Sequence, residues 1–228
     1  MNLPVNTLAD VNDPLVQARF NMVEQQIRPW NVYDPDVLAL LEAIPREQFV
    51  PPAHASLAFA DVEIPLGHGQ IMLAPKVAAR IVNDLPLKAT DSVLLIGAGS
   101  GYLAALLAGR TQRVIGLEIV PELARFAQDN LVRAGIHNAE VRQGDGAHGV
   151  LAESPFDVIV LAGSVPEVPQ SLLRQLNDGG RLFAVVGSEP VQRATYVRRN
   201  GTSFETSQPW DTLAPRLVHF PEPSQFRF

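Results

Sequence analysis

The chain has 228 residues, enough for one large domain or an average one with an appendage. It is 46% hydrophobic and 18% charged, which excludes disorder as the main state. The net charge of −6, with no Lys/Arg run longer than two, argues against a non-specific nucleic-acid binder; the absence of cysteine excludes disulfide scaffolds, thiolate metal sites and cysteine nucleophiles.

Residues Met1 to Asp10 carry neither a basic residue nor a long apolar run, so no signal peptide is expected and a cytoplasmic location is. Pro14 to Gln26 reads as a helix with Leu15, Ala18, Met22 and Val23 roughly on one face. A second helix should begin at Asp34-Pro35-Asp36. Asp34 can cap the free N–H groups, Pro35 suits the first helical position, and Val37, Leu38, Leu40 and Leu41 supply the buried side. Pro51-Pro52 breaks regularity, and residues 61 to 75 read as a loop leading into a helix from about Lys76 to Leu85.

The middle of the chain alternates as parallel α/β proteins do. Strands are expected at Ser92–Ile96, Arg113–Glu118, Glu140–Gln143, Phe156–Ala162 and Arg181–Val186, with helices at Tyr102–Ala108, Pro121–Ala134 and Gln170–Leu176. Val93 to Ile96 and Val158 to Leu161 are continuously apolar, as strands covered on both faces must be. Val93 to Gly109 is 17 residues without a charge, but it is short for a membrane span and holds four glycines, so no span is expected. Ala194–Arg198 and Ser203–Ser207 flank Asn200-Gly201, a hairpin signal.

Three features fall at three successive strand ends. Gly97-Ala98-Gly99-Ser100-Gly101 follows an apolar strand and opens a helix, where glycine lets the backbone turn sharply and approach a ligand. Tyr102 stands where the dinucleotide pattern asks for glycine or alanine, which disfavours a dehydrogenase, and no Gly-Lys-Ser/Thr follows to make a Walker loop. Glu118 ends the next strand 21 residues after Gly97, placed to accept hydrogen bonds from ribose hydroxyls. Gly144-Asp145-Gly146 puts another carboxylate on the same rim. Together they point to a nucleoside-containing cofactor.

These motifs resemble the class I S-adenosylmethionine-dependent methyltransferases. Over nearly the whole chain the resemblance narrows to the protein-L-isoaspartate O-methyltransferase family. It is carried by Asn21 to Pro29, Phe49-Val50-Pro51, Pro65-Leu66-Gly67-His68-Gly69-Gln70, Ile96 to Tyr102, Gly144-Asp145-Gly146, Gln175-Leu176, Gly179 to Leu182 and Val186-Gly187. The resemblance implies a Rossmann-like, mostly parallel sheet with helices on both faces, an antiparallel C-terminal hairpin and a helical N-terminal lid. It divides one methyltransferase domain, 1–228, into a lid with acceptor loop (1–75), a cofactor-binding core (76–190) and a hairpin with tail (191–228).

The implied cofactor is S-adenosylmethionine, held at Gly97, Ala98, Gly99, Ser100, Gly101, Glu118, Asp145 and Gly146. The implied partner is a damaged protein or peptide with an isoaspartyl residue; neither nucleic acid nor membrane is expected as a partner. His68, Leu73 and Ser164 are the expected acceptor-side residues. The sequence departs from the family in two places: Leu73 stands where the family has a serine beside the reacting carboxylate, and Leu95 where it usually has a glutamate. No catalytic side chain is therefore assigned. The alternative readings are methylation of another acceptor, or cofactor binding without turnover. None of the five histidines shows metal-ligand spacing, and no metal is expected.

Overall fold

The computed structural model describes residues 13–221. The reading of Met1 to Asp10 and the end of the tail lie outside the described residues. Seven strands form one sheet: β3 (Ser92–Ile96), β4 (Arg113–Glu118), β5 (Ala139–Gln143), β6 (Phe156–Val165), β7 (Leu176–Ser188), β8 (Val191–Asn200) and β9 (Ser203–Asp211), in the order β5-β4-β3-β6-β7-β8-β9. β5 through β7 run parallel, and β8 and β9 return antiparallel. A two-stranded hairpin, β1 (Ile64–Gly67) and β2 (Gln70–Met72), stands apart.

Alternation along the strands divides the core in two. Val93, Leu95, Val114, Val158 and Val160 face one side, with α2 (Pro35–Ala43), α3 (Pro75–Asp84), α4 (Tyr102–Ala108) and α5 (Pro121–Arg133). Leu94, Ile96, Ile115, Ile159 and Leu161 face the other, covered by the short α6 (Gln170–Leu173), Phe156, Leu176 and Phe220. The N-terminal helices, α1 (Pro14–Met22) and α2, join the first of these cores through Met22, Val37, Leu40 and Leu41.

The strand order reverses between β3 and β6, so the chain leaves β3 toward β4 and later returns to β6 on the opposite flank. Such a switch point opens a crevice at the C-terminal ends of the two strands, and there it lies between Gly97 and Ala162.

Several elements differ from the sequence reading for identifiable reasons. Residues 61–75 contain the β1–β2 hairpin, whose turn has Gly67, His68 and Gly69 all at positive φ (85°, 53° and 72°), so glycines flanking His68 mark a turn rather than an open loop. Helix α1 stops at Met22, and the chain then widens through Val23–Ile27 before tightening at Arg28–Trp30, where Pro29 lacks an N–H to continue the ladder. Helix α6 is only four residues long. The final hairpin pairs Asn200 with Ser203, so its two-residue loop is Gly201-Thr202, one residue later than expected. Gly201 takes φ 59° while Thr202 needs no positive φ, which suits a type II′ turn.

The Asp34 cap forms as expected, its side chain accepting from the Asp36 N–H at 2.9 Å. Among the described residues no helix is long and apolar enough to cross a membrane.

Candidate active site

The glycine loop is fixed to the sheet before it reaches any ligand. Gly97 and Ala98 both donate their N–H groups to the Leu117 carbonyl, at 2.9 and 3.2 Å. The Ser100 carbonyl accepts from the buried Asn130 amide at 2.9 Å. Gly97, Gly99 and Gly101 hold φ of 83°, 54° and 85°, which an L side chain rarely adopts. A Cβ on Gly101 would lie 2.9 Å from the Ala127 carbonyl oxygen, so this glycine also lets α4 pack on α5. At Gly99 the nearest neighbour would be Leu66 Cδ1 at 3.3 Å, which brings the loop against the β1–β2 hairpin.

Glu118 is buried at the end of β4, its Oε2 accepting from Gly99 N–H at 2.8 Å and its Oε1 from Val120 N–H at 3.1 Å. The acid is thus clamped at the switch point by backbone donors, with one face toward the crevice. Asp145 follows β5 and caps the next turn, accepting from Ala147 N–H at 2.9 Å. That bond and the neighbouring His219, whose Nδ1 lies 2.7 Å from Asp145 Oδ2, hold the Asp145 carboxyl below its ordinary range. Gly146 has no room for a side chain, since a Cβ would meet Ile96 Cγ2 at 2.3 Å.

Three small cavities meet at Gly97. One, about 40 Å³, joins Glu118, Asp145 and Gly146 to Leu217 and Phe220. A second, about 30 Å³, lies between Gln70, Gly99, Ala162 and Leu217. The third, about 30 Å³, is walled by Ile71, Met72, Leu73, Tyr102 and Ala162 with the backbone of Gly97 to Ser100. The structure therefore brings together Gly97, Ala98, Gly99, Ser100, Glu118, Asp145, Gly146 and Leu73. Ser164 is wholly buried one residue past this wall, its Oγ without a hydrogen-bond partner among the described residues. His68 is exposed at the hairpin tip and lines none of these three cavities. Leu95 is buried in the core on the α4 side.

Sequence reasoning missed two contributors. Arg46 is 0% exposed and reaches two backbone carbonyls, Ala58 through Nε and Leu73 through Nη2, each at 3.0 Å. Its guanidinium lies 4.9 Å from the centre of the Tyr102 ring, the first residue after the glycine loop. Burial pushes Arg46 below its usual range and Tyr102 up to about 12. A single Arg in Pro45-Arg46-Glu47 carries no local signal of burial. The other contributor is the segment Pro215 to Phe220, which crosses the crevice; only the apolar Leu217 and Phe220 hinted that the tail packs.

A larger concave space of about 680 Å³ opens at the opposite ends of the strands, beside Arg110, Gln112, His137 and Asn138. Two of its polar side chains are already engaged: Asn138 Nδ2 donates to the Ala108 and Thr111 carbonyls, and Arg110 pairs with Asp34. Size alone does not place the chemistry. Among the described residues no cluster of three or more acidic or histidine side chains is arranged for a metal.

A parallel sheet that reverses order beside a glycine loop, with acids on successive strand ends, is a Rossmann-like arrangement of the nucleoside-binding class. The family profile for Protein-L-isoaspartate(D-aspartate) O-methyltransferase (PCMT) matches residues 17–212. A protein-L-isoaspartate O-methyltransferase of Methanoculleus marisnigri is 43% identical over 190 residues, 83% of this chain and 86% of that protein. One from Picosynechococcus is 40% identical over 206 residues, 90% and 91% of the two chains. Among solved structures, a Plasmodium falciparum protein assigned to the same activity, in complex with S-adenosyl-L-homocysteine, superposes with a TM-score of 0.74 at 22% identity, over 87% of this chain and 97% of that one. The chain belongs to the protein-L-isoaspartate(D-aspartate) O-methyltransferase family, a family of methyltransferases.

Proposed function

We propose that this chain is an S-adenosylmethionine-dependent O-methyltransferase acting on the carboxylate of isoaspartyl residues in damaged proteins, in the cytoplasm. The observation that carries the reading is Glu118, buried at the end of β4 and bonded to Gly99 N–H at 2.8 Å, with Asp145 on the same rim. This donor set fits a nucleoside. Glu118 would hold ribose hydroxyls, Asp145 would stand at the adenine, and Gly97, Ala98, Gly99, Ser100, Gly101 and Gly146 would supply close backbone. When bound, S-adenosylmethionine supplies an electrophilic methyl group on a sulfonium.

The protein's own part is alignment and drying. A carboxylate is already an anionic nucleophile, so the acceptor side needs no general base, and none is offered: Ile71, Met72, Leu73 and Ala162 are all apolar. Holding the acceptor in one orientation against a fixed loop converts a bimolecular encounter into an effectively unimolecular step. An apolar wall also strips water from the nucleophile. Arg46 fixes the position of Leu73 from behind through the backbone carbonyl, so that wall is rigid. Ser164 and His68 remain the polar groups assigned to the acceptor side.

The apolar run Ile71 to Leu73 in the cavity wall favours one second reading, an acceptor less polar than the isoaspartyl carboxylate. Labelled-methyl transfer to an isoaspartyl peptide, against its normal aspartyl twin, decides between them. Transfer to the isoaspartyl peptide alone is expected. No transfer to either, with cofactor binding intact, would assign the pocket to another acceptor or to none.

A further inference from the structure

The cavities around Gly97 hold about 30 to 40 Å³ each, room for a water molecule or two. A small-molecule cofactor needs about 300 Å³ or more. The donor groups fit a nucleoside, yet the space between them is narrow, and two of the three cavities are walled by the chain's own segment Pro215 to Phe220.

The segment is seated by specific contacts. Ser164 N–H donates to the Pro215 carbonyl at 2.7 Å, and Leu217 N–H donates to the Ser164 carbonyl at 2.9 Å, extending the sheet by one short parallel bridge. Two glycines make room for it. A Cβ on Gly163 would lie 2.9 Å from both Leu217 Cγ and the Pro215 carbonyl oxygen, and one on Gly97 would lie 3.1 Å from Leu217 Cδ2. Leu217 therefore rests on the first glycine of the loop, where a ligand would need closest approach. Two residues on, His219 takes a left-handed φ of 66° and sets Nδ1 2.7 Å from Asp145 Oδ2, while Phe220 is buried beside Leu117 and Ile96. On the N-terminal side the segment is moored independently of the site, because Ala214 N–H donates to Gln192 Oε1 at 2.8 Å.

We propose that Pro215 to Phe220 is a strap that occupies the cofactor site and must lift before the cofactor enters, with Leu217 as its plug and the His219–Asp145 pair as its latch. The proposal rests on the cofactor reading given above. It adds that the strap and the cofactor compete for the surface of Gly97 and for Asp145. A strap that closes most molecules weakens apparent affinity by the fraction left open, so a population closed 90% of the time costs about tenfold. Lifting the strap would also uncover Ser164, whose backbone groups both hold it and whose hydroxyl is otherwise without a partner among the described residues.

The test is calorimetric titration of S-adenosyl-L-homocysteine into the full chain, its Leu217→Ala variant and its His219→Ala variant, with amide hydrogen exchange at Ser164 and Leu217. Competition predicts binding about tenfold tighter for Leu217→Ala and about threefold tighter for His219→Ala. It also predicts faster exchange at both amides once the ligand is bound. Weaker binding in Leu217→Ala, together with slower exchange on ligand binding, would overturn the proposal and make the segment a wall that closes on the cofactor. Unchanged affinity in both variants would overturn it as well. Failure of all three proteins to bind would overturn the cofactor reading itself, and is recognisable because no variant then differs from another.

Discussion

The two halves of the site are built on opposite plans. On the cofactor side the polar groups face the crevice: Glu118 and Asp145 stand on the rim, clamped by backbone N–H groups of Gly99, Val120 and Ala147. On the acceptor side the polar group stands behind the wall. Leu73, Met72 and Ile71 face the cavity, and the fully buried Arg46 reaches the Leu73 carbonyl from the far side. The first half is organised to recognise a ligand by hydrogen bonds, the second to hold a shape. On the proposed assignment, fit and exclusion of water would do most to select the acceptor, with Ser164 and His68 as the polar side chains assigned to that side.

The acceptor wall should break most severely at Arg46. Removing the guanidinium leaves the Leu73 and Ala58 carbonyls unpaired in the interior and takes the cation from the Tyr102 ring. Arg46→Met is expected to cost about 2–5 kcal/mol of stability, from about 1–3 kcal/mol for each of the two buried carbonyls left unsatisfied. Arg46→Lys, which keeps the charge but loses the fork, should recover only part of it. Urea denaturation of the three proteins checks this; a loss below about 1 kcal/mol in Arg46→Met would mean the wall stands without its bolt.

On the other half, the corresponding break is Glu118→Ala. The carboxylate bonds two backbone donors and is assigned the ribose hydroxyls, so its loss should weaken S-adenosyl-L-homocysteine binding by about 10- to 100-fold, the worth of a hydrogen bond to a charged group. Acceptor-side variants such as Leu73→Ser should leave that affinity nearly unchanged. Titration calorimetry separates the halves, and equal losses from both variants would dissolve the comparison.

The two halves also differ in how far they could be read from the sequence. Gly97 to Gly101, Glu118 and Asp145 were legible because strand ends are set by local apolar runs, and a parallel sheet aligns those ends on one rim. The β3 and β4 boundaries, Ser92–Ile96 and Arg113–Glu118, came out as expected for the same reason. Arg46 was not legible. Its burial depends on carbonyls 12 and 27 residues away, which no spacing in the sequence encodes. The β1–β2 hairpin carries no strand signal in the sequence because its turn needs a left-handed His68, an uncommon choice for a non-glycine residue. The seating of Pro215 to Phe220 is not legible in the sequence, because its partner, Ser164, sits some fifty residues upstream on another strand.

Leu73→Ser sharpens the comparison by moving one polar group onto the acceptor side. If the missing hydroxyl limits isoaspartyl transfer, the variant should be about tenfold faster on an isoaspartyl peptide, consistent with a hydrogen bond to a charged group worth about 1.5–3 kcal/mol. The gain competes with the loss of a buried leucine, which costs about 2–5 kcal/mol when cut to alanine, so the thermal midpoint should fall while the rate rises. An unchanged rate in a folded variant with unchanged cofactor affinity would show that position 73 does not limit the reaction.

The smallest expected effect concerns Asp145. Its carboxyl is held below the ordinary carboxylate range, first by the Ala147 N–H and then by His219. A depressed folded-state pKa contributes stability that is present above the unfolded value and is lost as pH falls through the folded one. The side chain is 41% exposed, so solvent screening limits that contribution to about 0.5 kcal/mol. Asp145→Asn should therefore be destabilised by about this much at pH 7 and become indistinguishable from the parent once acid has protonated Asp145 in both folded and unfolded states. Urea midpoints measured from pH 7 down to about pH 3 test the sign. A gap that widened toward acid would mean that Asp145 is held by something other than these two donors, and the cofactor half would lose one of its two clamped acids.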